Sequence, residues 1–327
     1  MSPSSFPVFN LGQFEKSSHG EKKVLGAEVD RICRTTGFLA IANHQVPQNV
    51  IDAVWLKARE FFDLTPEVKQ RSKALFAGYP FGYFGPELET LAKSRNVDTP
   101  PDLKESFNGG PLAAPGGLTD PDAIGFFFAE TIWPRQPDGF VEAWKAYYRV
   151  MESLAARIMR LFATALDLPE TYFDRFIDTP ISALRALNYP EQQVPPKPGQ
   201  LRAGAHSDYG SLTILLPQAA SKGLEIVSPS GEWTPVPPVP GAFIINIGDL
   251  MARWTNDRWV STVHRVVNPP REEGGLDRRQ SLAFFHQPNW DAEIAVLKSC
   301  LAPGETSKYA AVRSGEYLMN KFRATTY

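Results

Sequence analysis

Apolar residues recur every three or four positions over much of the first half of the chain, which is the spacing of one helical face. This pattern predicts a helix over residues 22–34, a second helix that begins at Pro47, and the longest helix over residues 139–167. A short apolar run at residues 37–42 predicts a buried strand. Residues 78–134 are rich in Gly, Pro and Asp, so we expect a long irregular connection there and a candidate lid.

The pattern changes after residue 180, where short apolar or alternating runs replace the helical stripes. These runs predict strands at residues 184–189, 211–216, 224–227, 242–247, 260–267 and 281–286. Clusters of turn residues, such as VPPKPGQ at residues 194–200, separate the runs. Several short strands between regular turn signals indicate an antiparallel sandwich or barrel.

Composition excludes several classes of protein. The 327 residues carry 34 Lys and Arg against 36 Asp and Glu, and this near balance argues against a nucleic-acid partner, which requires a basic surface. The longest apolar stretch, residues 242–247, is far too short to span a bilayer. Hydrophobic residues make up 43% of the chain, which is enough for a substantial core. We therefore expect a globular protein with no nucleic-acid and no membrane partner.

Two features bear on the compartment. The two cysteines, Cys33 and Cys300, are too few and too far apart in sequence for a disulfide framework or a cysteine zinc site. The first seven residues show no basic segment followed by an apolar one, so no secretory signal is visible. Both observations favour a cytoplasmic protein, and the sequence leaves its oligomeric state open.

A group of metal-binding residue types lies in the strand-rich half. His206 and Asp208 are two residues apart, and side chains at that spacing in an extended segment project from the same face. His264 lies 56 residues after Asp208, in another strand-like segment. Two histidines and one carboxylate are the ligand set of non-haem Fe(II) oxygenases. The His-x-Asp pair alone is a weak signal, because such triplets arise by chance in many proteins.

A second pair follows 15 residues after His264. Arg279 and Ser281 are again two residues apart at the start of a predicted strand, and together they offer a guanidinium fork and a hydroxyl to a carboxylate. Taken alone, an arginine at this position is as often a surface residue.

In order and in context, the second half of the chain resembles the 2-oxoglutarate- and Fe(II)-dependent oxygenases of the isopenicillin N synthase type. The matching stretches are LNYP at residues 187–190, GAHSDYGSLT at 204–213, GEW at 231–233, PGAFIINIGD at 240–249, RWTN at 253–256, STVHRV at 261–266 and RQSLAFF at 279–285. The first half is similar to the helical region of the same family, at FPVF (6–9), GFLAIANH (37–44) and DLKESF (102–107). The resemblance covers nearly the whole chain.

The resemblance implies a fold of the α+β class that is mainly β, with a double-stranded β-helix (jelly roll) core and flanking N-terminal helices. It places an N-terminal helical and irregular region at residues 1–135, a connecting core helix at 136–179 and the oxygenase core at 180–290. The C-terminal segment, residues 291–327, is then a second candidate lid.

The resemblance also implies the cofactors and the residues that hold them. Fe(II), the cosubstrate 2-oxoglutarate and O₂ would act on a small-molecule substrate, with release of succinate and CO₂. The implied iron ligands are His206, Asp208 and His264. The implied 2-oxoglutarate ligands are Arg279 and Ser281, which hold the distal carboxylate with the hydroxyl of Tyr189.

The substrate is less well defined by the sequence. Leu187, Phe285 and Phe107 are candidates for an apolar pocket, so we expect a small apolar or aromatic metabolite. Many plant members of the family have an Asn where this chain has Leu187. Hydroxylation, desaturation and rearrangement of the substrate all stay open. Three further residues in matching stretches are expected to be structural, namely His44, Asn246 and Asp249, and His286, which follows the last stretch, is expected to serve packing or hydrogen bonding.

Two other functions stay open at this point. One is an oxidase of the same family that uses the iron ligands without 2-oxoglutarate, because such oxidases also retain the Arg-x-Ser pair. The other is a catalytically silent barrel that serves as a binding module. The presence of both the His-Asp-His set and the Arg-x-Ser pair argues against a silent barrel.

Overall fold

A computed structural model of the chain describes residues 6–192, 194–219, 221–269 and 278–326. The helices are α1 (Leu11–Lys16), α2 (His19–Thr35), α3 (Gln48–Phe62), α4 (Pro66–Lys69), α5 (Phe140–Ala165), α6 (Asp249–Trp254) and α7 (Ser314–Thr326). The strands are β1 (Val8–Asn10), β2 (Phe38–Ala42), β3 (Gly82–Phe84), β4 (Glu105–Gly109), β5 (Ala183–Tyr189), β6 (Ala203–His206), β7 (Leu212–Pro217), β8 (Leu224–Val227), β9 (Trp233–Pro235), β10 (Ala242–Ile247), β11 (His264–Val266), β12 (Arg279–His286), β13 (Glu293–Ile294) and β14 (Val312–Arg313). Residues 1–5, which carry most of the prediction that no secretory signal is present, lie outside the described residues.

Most strands belong to two facing sheets. The large sheet has eight strands in the order β1-β2-β10-β7-β12-β5-β4-β3, and the small sheet has four in the order β6-β11-β8-β9. Neighbouring strands in both sheets are antiparallel, except for the parallel pair β1 and β2. Apolar side chains from both sheets pack into one cluster, among them Leu187 and Ala283 from the large sheet and Ile226 from the small one. The chain therefore has the expected jelly-roll fold, with two sheets that enclose an interior.

The other face of the large sheet is covered by helices. The apolar stripe of α5 is buried from Trp144 through Tyr148 to Ile158, and it packs together with α2, α3 and the outer side chains of β12. We call the sheet face that looks toward the small sheet the inner face, and the face that meets the helices the outer face. None of the described helices combines the length and the apolar character that a membrane span requires.

The structure confirms the three predicted helices as α2, α3 and α5, and the strands predicted at residues 37–42, 184–189, 211–216, 224–227, 242–247 and 281–286. The strand predicted at residues 260–267 is shorter, because only His264–Val266 are paired. The prediction of an irregular connection over residues 78–134 is wrong at β3 and β4, since β4 lies inside the large sheet between β3 and β5. Four of the eight strands of that sheet, β1 to β4, come from the N-terminal region, which is therefore more than a set of packed helices.

Candidate active site

Three side chains able to bind a metal converge between the two sheets. His206 ends β6 and His264 begins β11, and the two residues are directly opposite each other in the antiparallel pair. Asp208 follows β6 by two residues, and its Oδ1 lies 3.9 Å from His206 Nε2 and 3.8 Å from His264 Nε2. One nitrogen or oxygen atom from each residue lies within 4.8 Å of the other two. The structure thus brings together the three residues that the sequence singled out.

Backbone carbonyls orient both imidazoles. His206 Nδ1 lies 2.7 Å from the carbonyl oxygen of Gly204, and His264 Nδ1 lies 3.2 Å from the carbonyl oxygen of Thr262. Because a carbonyl oxygen only accepts, each Nδ1 carries the proton and donates it. The lone pair of each ring is therefore on Nε2, the nitrogen that faces Asp208.

The carboxylate of Asp208 is held from the large sheet. Asn246 Nδ2 donates to Asp208 Oδ2 at 2.7 Å, and Thr213 Oγ1 donates to the same oxygen at 2.5 Å. Both donors lie on the inner face, where Asn246 of β10 is directly opposite Thr213 of β7. These bonds leave Oδ1 turned toward the two histidines. Asn246 was expected to be structural, and the structure gives it a direct contact with a member of the site.

The backbone beside Asp208 is fixed by a close contact between two glycines. A Cβ atom on Gly248 would lie 2.2 Å from the carbonyl oxygen of Gly210, so no side chain fits there. This approach lets the Asp249 backbone N–H donate to the carbonyl oxygen of Asp208 at 2.7 Å. The start of α6 therefore holds the loop that carries Asp208.

The electrostatics of the three residues suit a divalent cation. Burial, reinforced by the charge of His264, lowers the pKa of His206 to about 3. Burial alone would raise the pKa of Asp208. The two histidines and the hydrogen bonds from Asn246 and Thr213 outweigh burial, so the pKa of Asp208 is lowered. At neutral pH, His206 is therefore neutral and Asp208 is ionised, which are the protonation states that metal coordination requires. Two imidazole nitrogens and one carboxylate oxygen fit Fe(II).

A second polar group lies on the inner face of β12 and β5. Arg279 is directly opposite Tyr189, and its guanidinium carbon lies 4.9 Å from the centre of the tyrosine ring. Ser281 is opposite Leu187 in the next row of the same pair. Arg279 Nε donates to Ser221 Oγ at 3.4 Å. Within the described part of the chain, the buried atoms Arg279 Nη1 and Ser281 Oγ have no hydrogen-bond partner.

Two of the three predicted pocket residues lie on the same inner face. Leu187 stands between Ser281 and the N-terminal strand β4, and Phe285 is directly opposite Thr213, which binds Asp208. The structure does not bring Phe107 to the site. Its ring lies on the outer face and packs against aromatic rings of the helices, with ring centres 5.1–5.4 Å away, namely those of Phe61, Phe140 and Trp144.

The remaining histidines near these strands serve packing and hydrogen bonding. His44 Nδ1 accepts a hydrogen bond from the Val46 backbone N–H at 3.0 Å, in the segment between β2 and α3. His286 is fully buried, and its Nδ1 lies 2.8 Å from Ser211 Oγ. Neither is part of the His-Asp-His group, as expected from the sequence.

A group of charged residues beside the site, two of them buried and two half-buried, was not predicted from the sequence. Arg185, on the inner face of β5, lies with Nη1 3.2 Å from Glu89 Oε1. Lys104 Nζ lies 2.8 Å from Asp102 Oδ2 and 3.5 Å from Glu89 Oε2. Burial would raise the pKa of Glu89, but Arg185 and Lys104 outweigh it and lower that pKa to about 2. The available signal was Arg185 itself, because a charge inside an apolar strand needs a partner.

The similarity to known proteins extends over the whole chain. The family model of the 2OG-Fe(II) oxygenase superfamily matches residues 180–288, and the model described as non-haem dioxygenase in morphine synthesis N-terminal matches residues 6–136. The 2-oxoglutarate-Fe(II) type oxidoreductase hxnY of Emericella nidulans is 32% identical over 339 residues, which cover 100% of this chain and 93% of the relative. Homoarginine-6-hydroxylase 2-ODD-233 of Oryza sativa is 31% identical over 300 residues, which cover 90% of this chain and 87% of the relative.

Solved structures agree with this similarity. A full-length Neurospora crassa protein, crystallised in complex with alpha-KG and thymine, superposes with a TM-score of 0.85 at 30% identity, over 98% of this chain and 97% of that one. The match therefore includes both sheets and the N-terminal region together. On these grounds, the chain belongs to the 2-oxoglutarate–Fe(II) oxygenase superfamily, which is named for its use of 2-oxoglutarate and Fe(II).

Proposed function

We propose that the chain holds Fe(II) with His206, Asp208 and His264 and oxidises a small molecule with 2-oxoglutarate as cosubstrate. When bound, Fe(II) and 2-oxoglutarate supply the oxidising chemistry with O₂, and succinate and CO₂ are released. The residues of the chain hold the metal, orient the cosubstrate and keep water out of the interior. None of them has to act as a strong acid or base.

One observation carries the choice of cosubstrate. Arg279 and Ser281 are 3% and 1% exposed, and each keeps a donor that no other described residue satisfies. Leaving a buried donor unpaired costs about 1–3 kcal/mol, and more when the group is charged. A carboxylate between them would accept from the guanidinium fork and from the hydroxyl at once. The distal carboxylate of 2-oxoglutarate is that acceptor in this proposal, with Tyr189 beside it.

The oxidase alternative uses the same two donors differently. In that case, a carboxylate on the substrate itself would occupy Arg279 and Ser281, and no succinate would form. A catalytically silent barrel would not require both the His-Asp-His group and the Arg279–Ser281 pair in the same interior. Consumption of 2-oxoglutarate separates the proposed function from the two alternatives, which consume none.

We also propose that the substrate has a hydrogen-bonding edge as well as an apolar face. The guanidinium carbon of Arg185 lies 5.9 Å from the centre of the Phe285 ring. Within the described chain, Glu89 is the polar partner of Arg185, which leaves guanidinium N–H groups for a ligand. On neighbouring β4, the buried Asn108 Oδ1 has no partner among the described residues. The inner face beside Leu187 and Phe285 is thus more polar than expected from the sequence.

The relatives support a substrate of this kind. The Neurospora crassa structure holds thymine, and the rice relative is named a homoarginine-6-hydroxylase. Both molecules carry hydrogen-bonding groups beside an aliphatic or ring carbon that can be oxidised. They are therefore suitable probes for this chain.

The test is succinate formation by the purified protein loaded with Fe(II) and then exposed to O₂. The proposal predicts slow conversion of 2-oxoglutarate to succinate without substrate, and none in His206→Ala. Failure of the iron-loaded protein to consume 2-oxoglutarate in the absence and presence of thymine, homoarginine and a library of small molecules would contradict it.

The same assay tests the role of Arg185 once a stimulating compound is found. Arg185→Met should lower the ratio of stimulated to unstimulated turnover at least about tenfold, because a hydrogen bond to a charged group contributes about 1.5–3 kcal/mol. Arg175→Met is the matched control, since Arg175 also packs over aromatic rings, those of Tyr172 and Phe176, in the segment between α5 and β5. An unchanged ratio in Arg185→Met would contradict the substrate role.

The domain division stays a proposal: an N-terminal region at residues 1–135, a connecting helix at 136–179 and the core at 180–290. The C-terminal segment is proposed as a lid, and two contacts support this. The ring of Phe322 on α7 lies 5.5 Å from that of Tyr209, next to Asp208, and Lys321 Nζ lies 2.9 Å from Asp249 Oδ2. The lack of nucleic-acid and membrane partners and the cytoplasmic location remain predictions.

A further inference from the structure

The N-terminal region contacts the iron site through a chain of hydrogen bonds. Asp102 Oδ1 accepts from the Gly204 backbone N–H at 2.9 Å. The carbonyl oxygen of the same Gly204 accepts from His206 Nδ1 at 2.7 Å. A single carboxylate from outside the small sheet thus fixes the residue that orients one of the two imidazoles.

The carboxylate of Asp102 is itself held in place. Its Oδ2 lies 2.8 Å from Lys104 Nζ and accepts from the Leu91 backbone N–H at 3.3 Å. The side chains of Asp102 and Lys104 are only 2% and 1% exposed. Burial alone would lower the pKa of Lys104, but the nearby carboxylates of Glu89 and Asp102 outweigh burial and raise that pKa, so Lys104 is charged at neutral pH.

Gly204 is confined from the same side. A Cβ atom there would lie 3.0 Å from the backbone nitrogen of Ala92 and 3.2 Å from Asp102 Oδ1. Strand β6 is therefore packed directly on the 3-10 turn at Leu91–Arg95. While Asp102 is in place, strand β6 has little freedom to move at this contact.

We propose that Asp102, neutralised by Lys104, is a positioning residue for the metal: through Gly204 it sets the orientation of His206. The inference rests on the proposed function in one respect, that His206 is a metal ligand. It adds a task for the N-terminal region, which then supplies part of the iron site as well as strands of the large sheet. Groups that orient metal-binding histidines typically change metal affinity 10- to 100-fold when they are removed.

The chain offers a matched control one residue away. Glu105 forms a second buried ion pair with Lys69, also at 2.8 Å, but it alternates to the outer face of β4 and bonds Tyr83 and Asn188. The two pairs share burial and chemistry. Of the two, only the Asp102–Lys104 pair contacts β6.

The test is the double variant Asp102→Leu/Lys104→Met, compared with Glu105→Leu/Lys69→Met. Replacing both members of a buried ion pair with apolar residues is often neutral for stability. The first double variant should therefore fold while it lacks the carboxylate that accepts from the Gly204 N–H. We expect the Co(II) and anaerobic Fe(II) dissociation constants to rise about 10- to 100-fold, with a changed visible spectrum of the Co(II) protein. The control should fold and keep metal affinity within about threefold.

A second variant covers the case in which the double variant does not fold. Asp102→Asn keeps an oxygen acceptor for Gly204 but loses the charge that attracts Lys104, so its metal affinity should lie between the wild type and the double variant. Wild-type metal affinity and an unchanged Co(II) spectrum in Asp102→Asn, and in Asp102→Leu/Lys104→Met if that variant folds, would overturn the inference. Failure of the proposed function looks different: the wild type would bind Co(II), with these variants still weakened, yet would not bind 2-oxoglutarate.

Discussion

Asn246 donates its side-chain N–H to Asp208 Oδ2 at 2.7 Å, on the side of the carboxylate that faces away from the two histidines. The bond links strand β10 of the large sheet to Asp208, the proposed metal ligand that follows strand β6 of the small sheet. Thr213 binds the same oxygen from β7. The direction of Asp208 Oδ1 toward His206 and His264 is therefore imposed by the sheet opposite.

Replacing this donor should weaken the metal site. Asn246→Leu keeps the size of the side chain but removes the hydrogen bond to a charged acceptor, so Fe(II) affinity should fall about 10- to 100-fold. Anaerobic titration with Fe(II) measures it. Asn289→Leu is the control, because Asn289 also donates to a carboxylate, that of Asp178, away from the site. An equal loss of affinity in both variants would contradict a specific role for Asn246.

The cosubstrate should respond to changes at β12 in a graded way. Arg279→Lys keeps the charge but loses the fork, so 2-oxoglutarate affinity should fall roughly 10- to 100-fold, which corresponds to about 1.5–3 kcal/mol. Ser281→Ala removes one neutral donor and should cost roughly 2- to 10-fold. The KM for 2-oxoglutarate in the uncoupled reaction reports both effects.

The neighbouring arginine gives the control for this series. Arg278 donates to Asn188 Oδ1 at 2.6 Å and pairs with Asp63, so it is engaged outside the interior. Arg278→Lys should leave the KM for 2-oxoglutarate within about twofold. If Arg279→Lys had no larger effect than Arg278→Lys, the carboxylate would have to bind elsewhere.

Stability should depend on pH through His286. Burial lowers the pKa of this histidine to about 3, whereas the unfolded chain protonates it near pH 6.5. Below pH 6.5 the unfolded state takes up a proton that the folded state does not, so the free energy of unfolding decreases as the pH falls. The contribution of this group is at most about 1.4 kcal/mol per pH unit and ends near pH 3.

The variant His286→Gln isolates that contribution. Urea unfolding at pH 7.0, 6.0 and 5.0 should show a smaller decrease in stability than for the wild type, because the other titrating groups are common to both proteins. Parallel pH dependences for the two proteins would show that folding does not lower the pKa of His286.

Phe107 and Phe285 should separate stability from substrate binding. Phe107 lies in the aromatic core, so Phe107→Leu should reduce the free energy of unfolding by about 1 kcal/mol and leave turnover unchanged. Phe285→Leu, on the inner face, should change substrate-stimulated turnover more than stability. Unfolding curves and succinate assays on the same two proteins provide the comparison, and a reversed pattern would return Phe107 to the substrate pocket.

The spacing of apolar residues predicted the elements that have an apolar face or an uninterrupted apolar run. The stripe of α5, from Trp144 to Ile158, and the apolar runs of β5 and β10 stand out because one face or the whole strand is buried in apolar surroundings. The metal-binding group was also visible, since His206 and Asp208 are close in sequence. A single sequence shows directly only those groups of residues that are close together along the chain.

Strand β4 was missed because most of its buried residues are polar. Glu105, Ser106 and Asn108 are all buried, and no apolar run marks the strand. The error in placing Phe107 follows from the same cause: without the strand, the alternation that turns Phe107 outward and its neighbours inward was not available. Side-chain direction in a strand depends on register, which local sequence does not encode.

The supports of the site depend on contacts between distant segments. Asn246 and Asp208 are 38 residues apart, and Asp102 and Gly204 are 102 residues apart. No local pattern connects such residues, because the fold creates their contact.

The most direct test of the account is the anaerobic titration of the Fe(II)-loaded protein with 2-oxoglutarate, followed by visible absorption. We predict a metal-to-ligand charge-transfer band that saturates at one 2-oxoglutarate per iron, is absent in His264→Ala and needs higher 2-oxoglutarate concentrations in Arg279→Lys. An iron-loaded wild-type protein that shows no band at any 2-oxoglutarate concentration would contradict it.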